Sequence, residues 1–189
     1  MTTKALGRLF STGLLVGVAL FGSSTTVLAA EVYTATLVRP MGIREDKIAR
    51  LTLTIESYAT EEDAERYQKV LDGEGSDGLI KALRQTKRGV AQVQGDTPRT
   101  INHVRVYESA NGSARIIIVT DRPLFFPDDE PLPSSRAHLG FIQLDLNKDN
   151  EGGGNMAEVV QIGVEEDGGL RIGSSGRKPI HLKDVRREQ

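Results

Sequence analysis

A mainly β chain is the fold class this sequence predicts: an antiparallel sandwich or partly closed barrel with an inserted helical hairpin. Three observations point there. Apolar residues recur at every second position in several short runs, turn-forming Gly and Asn separate those runs, and one stretch between them changes to helical spacing.

In chain order, the first element is a leader. Lys4 and Arg8 precede an apolar stretch from Leu14 to Phe21, followed by polar Ser23 to Thr26 and the small pair Ala29 and Ala30. This is the charged, apolar, small-residue order of a secretory signal peptide, with cleavage near Ala29. The apolar run falls short of the roughly 20 residues that a spanning helix needs. The expected division is therefore residues 1–29 as signal peptide and 30–189 as a single β-rich domain. That domain is expected in the periplasm or outside the cell, with no membrane span after cleavage. The chain has no cysteine. It therefore lacks the acylation site of a lipoprotein, and thiol chemistry and cysteine-based metal sites are excluded.

The strands follow. Segment 32–38 is a strand candidate; Leu51, Leu53 and Ile55 share one face, with Thr52, Thr54 and Glu56 on the other. Segment 90–94 comes next, then Val104 and Val106 opposing His103, Arg105 and Tyr107. Ile116 to Val119 is continuously apolar, as expected of a central strand covered on both faces. Ile142, Leu144 and Leu146 oppose Gln143 and Asp145, and 156–164, 170–173 and 180–185 complete the set. Asn111-Gly112 and Asp167-Gly168-Gly169 read as hairpin turns, as does 147–155 with its Gly152-Gly153-Gly154 triplet. The helical hairpin occupies about 60–87: Thr60 is an N-cap, Glu61, Glu62 and Asp63 load the first turn, and Ala64, Tyr67 and Leu71 share a face. Gly73 and Gly75 stop that helix, and Leu79, Ile80 and Leu83 form the stripe of a second. The tail from Arg186 is expected to fray.

Few chemistries fit. The formal net charge of −2 gives no global attraction to nucleic acid, and 5% aromatic residues with no tryptophan argue against a base- or sugar-stacking surface. His103, His138 and His181 are scattered, without the short spacing of a zinc pair, and no metal or cofactor is expected. Asp145, Asn147 and Asp149 imitate the start of a calcium loop, but Asn150 stands where glycine is needed and Met156 where a carboxylate is needed. A turn is the better reading. The basic cluster Lys81, Arg84, Lys87 and Arg88 and the acidic cluster Asp128, Asp129 and Glu130 read as solvated faces.

The proline-rich segment 121–139 is the long loop in which a site is best sought. Asp121 and Arg122 close the apolar strand before it, and His138 lies at its far end, giving a candidate binding set of Asp121, Arg122 and His138. In an enzyme these would be an acid–base group, an anion clamp and its partner. No nucleophile elbow or phosphate-binding loop accompanies them, so a loop-fixing role competes and no catalytic residue is assigned.

Ile55 to Tyr58 with Thr60-Glu61-Glu62, the run Gly78 to Leu83, Lys87-Arg88-Gly89, Thr120-Asp121-Arg122-Pro123 and the run Pro179 to Val185 together resemble an uncharacterised family of exported bacterial proteins, a domain of unknown function. The resemblance spans most of the mature chain. It implies export and supports the domain boundaries, and it brings no activity, ligand or site residue.

The functional expectation is a non-catalytic exported domain that binds a small ligand or a cell-envelope component. The alternatives are a hydrolase-like enzyme with its site in 121–139 and a structural interaction module.

Overall fold

A computed structural model describes residues 29–39, 47–124, 139–164, 170–174 and 179–188. Its strands are β1 (Glu31–Arg39), β2 (Lys47–Ile55), β3 (Gly89–Val93), β4 (Arg99–Glu108), β5 (Ala114–Thr120), β6 (Leu139–Leu146), β7 (Glu151–Val164), β8 (Leu170–Ser174) and β9 (Ile180–Arg187). The helix α1 (Glu61–Arg84) lies between β2 and β3. Sequential antiparallel pairing runs from β1 to β7, and β9 joins β7 to β1, which closes an eight-stranded antiparallel barrel. β8 stands outside the ring, paired to the distal part of β7. Of the two architectures that alternation allowed, the barrel forms and the sandwich does not, because β9 bridges what would have been two free sheet edges.

The alternation reads through to the interior. Leu37, Leu51, Leu53, Ala91, Val104, Ile116, Ile118, Ile142, Leu144, Met156, Leu182 and Val185 belong to one continuous buried cluster with members from all eight barrel strands. An eight-stranded barrel is about wide enough to be filled by such side chains. Full burial of each Leu or Ile contributes about 1.5–3 kcal/mol.

The turns carry their own chemistry. Between β4 and β5, Asn111 Oδ1 accepts from the Ser113 N–H at 3.0 Å, and Gly112 takes a φ of 80°. Between β6 and β7, Asn147 Oδ1 accepts from the N–H groups of Asp149 and Glu151 at 2.8 and 3.1 Å. The glycine triplet expected in that turn lies instead inside β7, where Gly152, Gly153 and Gly154 pair with Leu146, Asp145 and Leu144. Four residues suffice to reverse the chain there, so the strand resumes at Glu151.

The helical region is a single element with one break, at Gly75, where two helices joined by a loop were expected. Only Gly75 leaves helical geometry inside α1, with φ 69° and ψ −166°, and the helix resumes immediately after it. The kink is sharp: Arg66 and Tyr67 of the first half lie 3.4 Å from the Thr86 hydroxyl just past the second half, whereas a straight helix of this length would hold its ends about 36 Å apart. The start of α1 is as expected: the Thr60 side chain accepts from the Asp63 N–H while Asp63 accepts from the Thr60 N–H at 2.9 Å, a reciprocal cap. The tail does not fray, since Arg187 pairs with Glu31 at 3.1 Å and the Glu188 N–H donates to the Val32 carbonyl at 2.8 Å.

α1 covers one outer face of the barrel. Tyr67, Leu79 and Leu83 pack there on Val119 and Leu139, with Leu71 and Phe141 at the margin. Pairing registers His103 with Val119, Val119 with Phe141 and Phe141 with Ala157, so this patch is a row across four strands. The opposite wall, β1 to β3, carries no helix among the described residues.

Candidate binding site

On that bare wall a cleft of about 570 Å³ opens between β2 and β3, lined by Arg50, Thr52, Gln92, Gln94 and Gly95. Its lining follows from strand period. Leu51, Leu53, Ala91 and Val93 point inward, so Arg50, Thr52 and Gln92 point out. Thr52 stands opposite Gln92 in register, and the Gln94 N–H donates to the Arg50 carbonyl at 2.8 Å, which holds the turn beside Arg50. Gly95, at φ 86°, reverses the chain next to it. Among the described residues no hydrogen bond or ion pair engages the Arg50 guanidinium. A free guanidinium flanked by two amides and a hydroxyl suits a polar ligand carrying an anionic group, which Arg grips with two parallel N–H donors.

The residues proposed from sequence are placed as follows. Asp121 accepts from the Thr100 N–H at 3.1 Å through its carboxylate and donates its own N–H to the Thr100 carbonyl at 3.0 Å. Its side chain thus fixes the end of β5 to β4. Arg122 is exposed, and its carbonyl accepts from the Thr120 hydroxyl at 2.6 Å. His138, like 1–28, most of the long loop and the acidic cluster, lies outside the described residues. Asp145 pairs with Arg115 at 2.7 Å and accepts from Gln143, while Asp149 pairs with Lys148. Those hydrogen bonds and the Arg115 charge hold the Asp145 carboxyl below its usual range against the opposing effect of burial. The imitation calcium loop is a hydrogen-bonded turn.

The basic cluster is split by the fold. Lys81, Arg84 and Lys87 are exposed, but Arg88 is buried, correcting the reading of all four as a solvated face. Arg88 forms a buried ion pair with Asp63 and donates to the Tyr58 carbonyl at 2.6 Å and the Ser57 hydroxyl at 3.2 Å. Burial raises the Asp63 carboxyl, but the Thr60 N–H and the charges of Arg88 and Arg66 more than reverse this and hold it below the usual carboxylate range. Asn102 donates to the Thr86 carbonyl at 2.7 Å, fastening the far end of α1. A bulge in β4 makes this clasp: Ile101, Asn102, His103 and Val104 are buried in succession where alternation would expose two of them.

His103 sits within the clasp. It is 2% exposed, its ring lies 5.8 Å from that of Tyr67, and neither nitrogen has a hydrogen-bond partner. Burial, then the charges of Arg88 and Arg105, push its pKa down to about 4, with Asp63 opposing. His181 is exposed and bonds Asn155 at 2.9 Å. At the barrel rim Tyr58 and Tyr33 donate to one oxygen of Glu31 at 2.6 and 3.0 Å. Burial and the Glu31 carboxylate raise both phenols, Tyr33 to about 12.

Arg50 and its amide neighbours were missed in sequence because they look like any polar positions of alternating strands. The signal was the pairing of Arg50 and Thr52 on one strand with Gln92 and Gln94 on another. No helix among the described residues is long and apolar enough to cross a membrane. Comparison with family models, curated proteins and solved structures finds no match to this chain.

Proposed function

We propose that the chain is a non-catalytic exported domain that binds a polar, anion-bearing small ligand or envelope component on the outer wall of its barrel, at Arg50. The observation that carries this is the contrast between an interior packed with mutually touching apolar side chains and an outer cleft whose guanidinium has no partner among the described residues. Ligand carriage inside a barrel needs an internal cavity of some 300 Å³ or more. The interior side chains here close on one another from all eight strands. The hydrolase alternative loses support, since the Asp121 carboxylate is engaged with backbone. The proposed export rests on the leader motif and on the family resemblance.

A thermal-shift series on residues 30–189 tests this, using glucuronate and inorganic phosphate as anionic probes and laurate as an apolar one. An anion at a hundred times its dissociation constant is expected to stabilise by about 2.7 kcal/mol, and Arg50→Ala to abolish the shift. Stabilisation by laurate alone, or an anion shift that survives Arg50→Ala, would contradict the reading.

A further inference from the structure

We propose that α1 is an acid-released strap: protonation of His103 frees the helix from the barrel wall and uncovers the apolar row beneath it. The geometry supplies each part. His103 points from β4 into the α1 interface, 2% exposed, with no acceptor or donor for either ring nitrogen. The imidazole is tolerated there only while neutral, because a charged ring would be buried without a partner.

The groups facing it decide the sign. Arg88, in the link from α1 to β3, and Arg105 on β4 repel a proton on the ring. Asp63 on α1 attracts it, but its carboxylate is already held by Arg88, Arg66 and the Thr60 N–H. Tyr67 presents its ring to His103 while its hydroxyl lies 3.4 Å from Thr86 Oγ1. From β5 and β6 the neighbours are apolar Val119 and Phe141. A protonated His103 therefore adds a positive charge beside Arg88, whose carboxylate partner Asp63 is already shared with Arg66. Opening α1 relieves this by giving the ring to water.

The folded-state pKa lies below the unfolded value of about 6.5. Closure is therefore fully favoured above that pH and weakens as pH falls towards 4. With the ring protonating near 6.5 in the open state and near 4 in the closed one, the opening equilibrium rises about 40-fold between pH 6.5 and 4.5. Opening exposes Val119, Leu139 and Phe141 on the wall and Tyr67, Leu79 and Leu83 on the helix. The Thr60–Asp63 cap lies at the start of α1 itself, so α1 keeps it on leaving the wall.

Hydrogen exchange of residues 30–189 at pH 6.5 and 4.5, normalised to intrinsic rates, tests the proposal. Opening at α1 amides is expected to rise about 40-fold while β1 and β2 change far less, and His103→Gln is expected to remove the difference. An α1 rise no larger than that of β1 and β2, or one that persists in His103→Gln, overturns it. Should that variant fail to fold, imidazole NMR of the wild type decides. A ring neutral to below pH 5, with protonation that tracks α1 exchange, supports the strap; titration near 6.5 overturns it.

Discussion

The two outer faces of this barrel treat arginine in opposite ways. On the wall under α1, Arg88 is buried, and its guanidinium is held by Asp63, Ser57 and Tyr58. On the wall of β2 and β3, Arg50 is exposed in a polar cleft and held by no side chain among the described residues. A paired, desolvated guanidinium fixes structure, whereas a free one in a cleft is available to a ligand. The face with the exposed guanidinium is therefore where recognition is best placed, and the covered face is where stability and its acid sensitivity reside.

Substitutions can break or sharpen this contrast, each read as a change in urea midpoint at constant slope. The largest loss is expected from Arg88→Ala, which leaves the Asp63 carboxylate buried without its main partner, at about 3–5 kcal/mol. A loss below about 1 kcal/mol would mean that α1 docks through apolar contacts alone. Leu53→Ala, inside the barrel, is expected to cost about 2–5 kcal/mol through a cavity, and a near-neutral result would mean the interior is loosely packed. Thr60→Ala removes one half of the reciprocal cap at the start of α1 and is expected to cost about 1 kcal/mol. Arg50→Ala is expected to stay within about 0.5 kcal/mol of wild type; a larger cost would show that Arg50 is structural.

The barrel wall was legible because a half-buried strand repeats every two residues, and Leu51 to Ile55, Val104 to Tyr107 and Ile142 to Leu146 follow that period closely. Closure was less legible, since period says which side of a strand is buried and not which strand lies beside it; β9 returning between β7 and β1 pairs with residues more than 140 positions earlier in β1. The covered face was hidden for another reason. Lys81, Arg84, Lys87 and Arg88 look alike in one dimension, and only the partners that the fold gathers around Arg88, namely Asp63, Ser57 and Tyr58, set it apart. His103 obeyed the outward reading, yet α1 buries it, an outcome set by where a kinked helix lands. The kink shares this origin, because Gly75 can end a helix or bend it, and its backbone freedom permits both.

The contrast between the two arginines is tested most directly by following the side-chain Nε–H resonances of Arg50 and Arg88 together with core Leu and Ile methyl groups during a glucuronate titration of residues 30–189. The account predicts saturable shifts at Arg50 and its Gln92 and Gln94 neighbours, with Arg88 and the methyl groups of Leu53 and Ile118 unmoved. Saturable shifts at Arg88 or the interior methyl groups, with Arg50 unchanged, would contradict it.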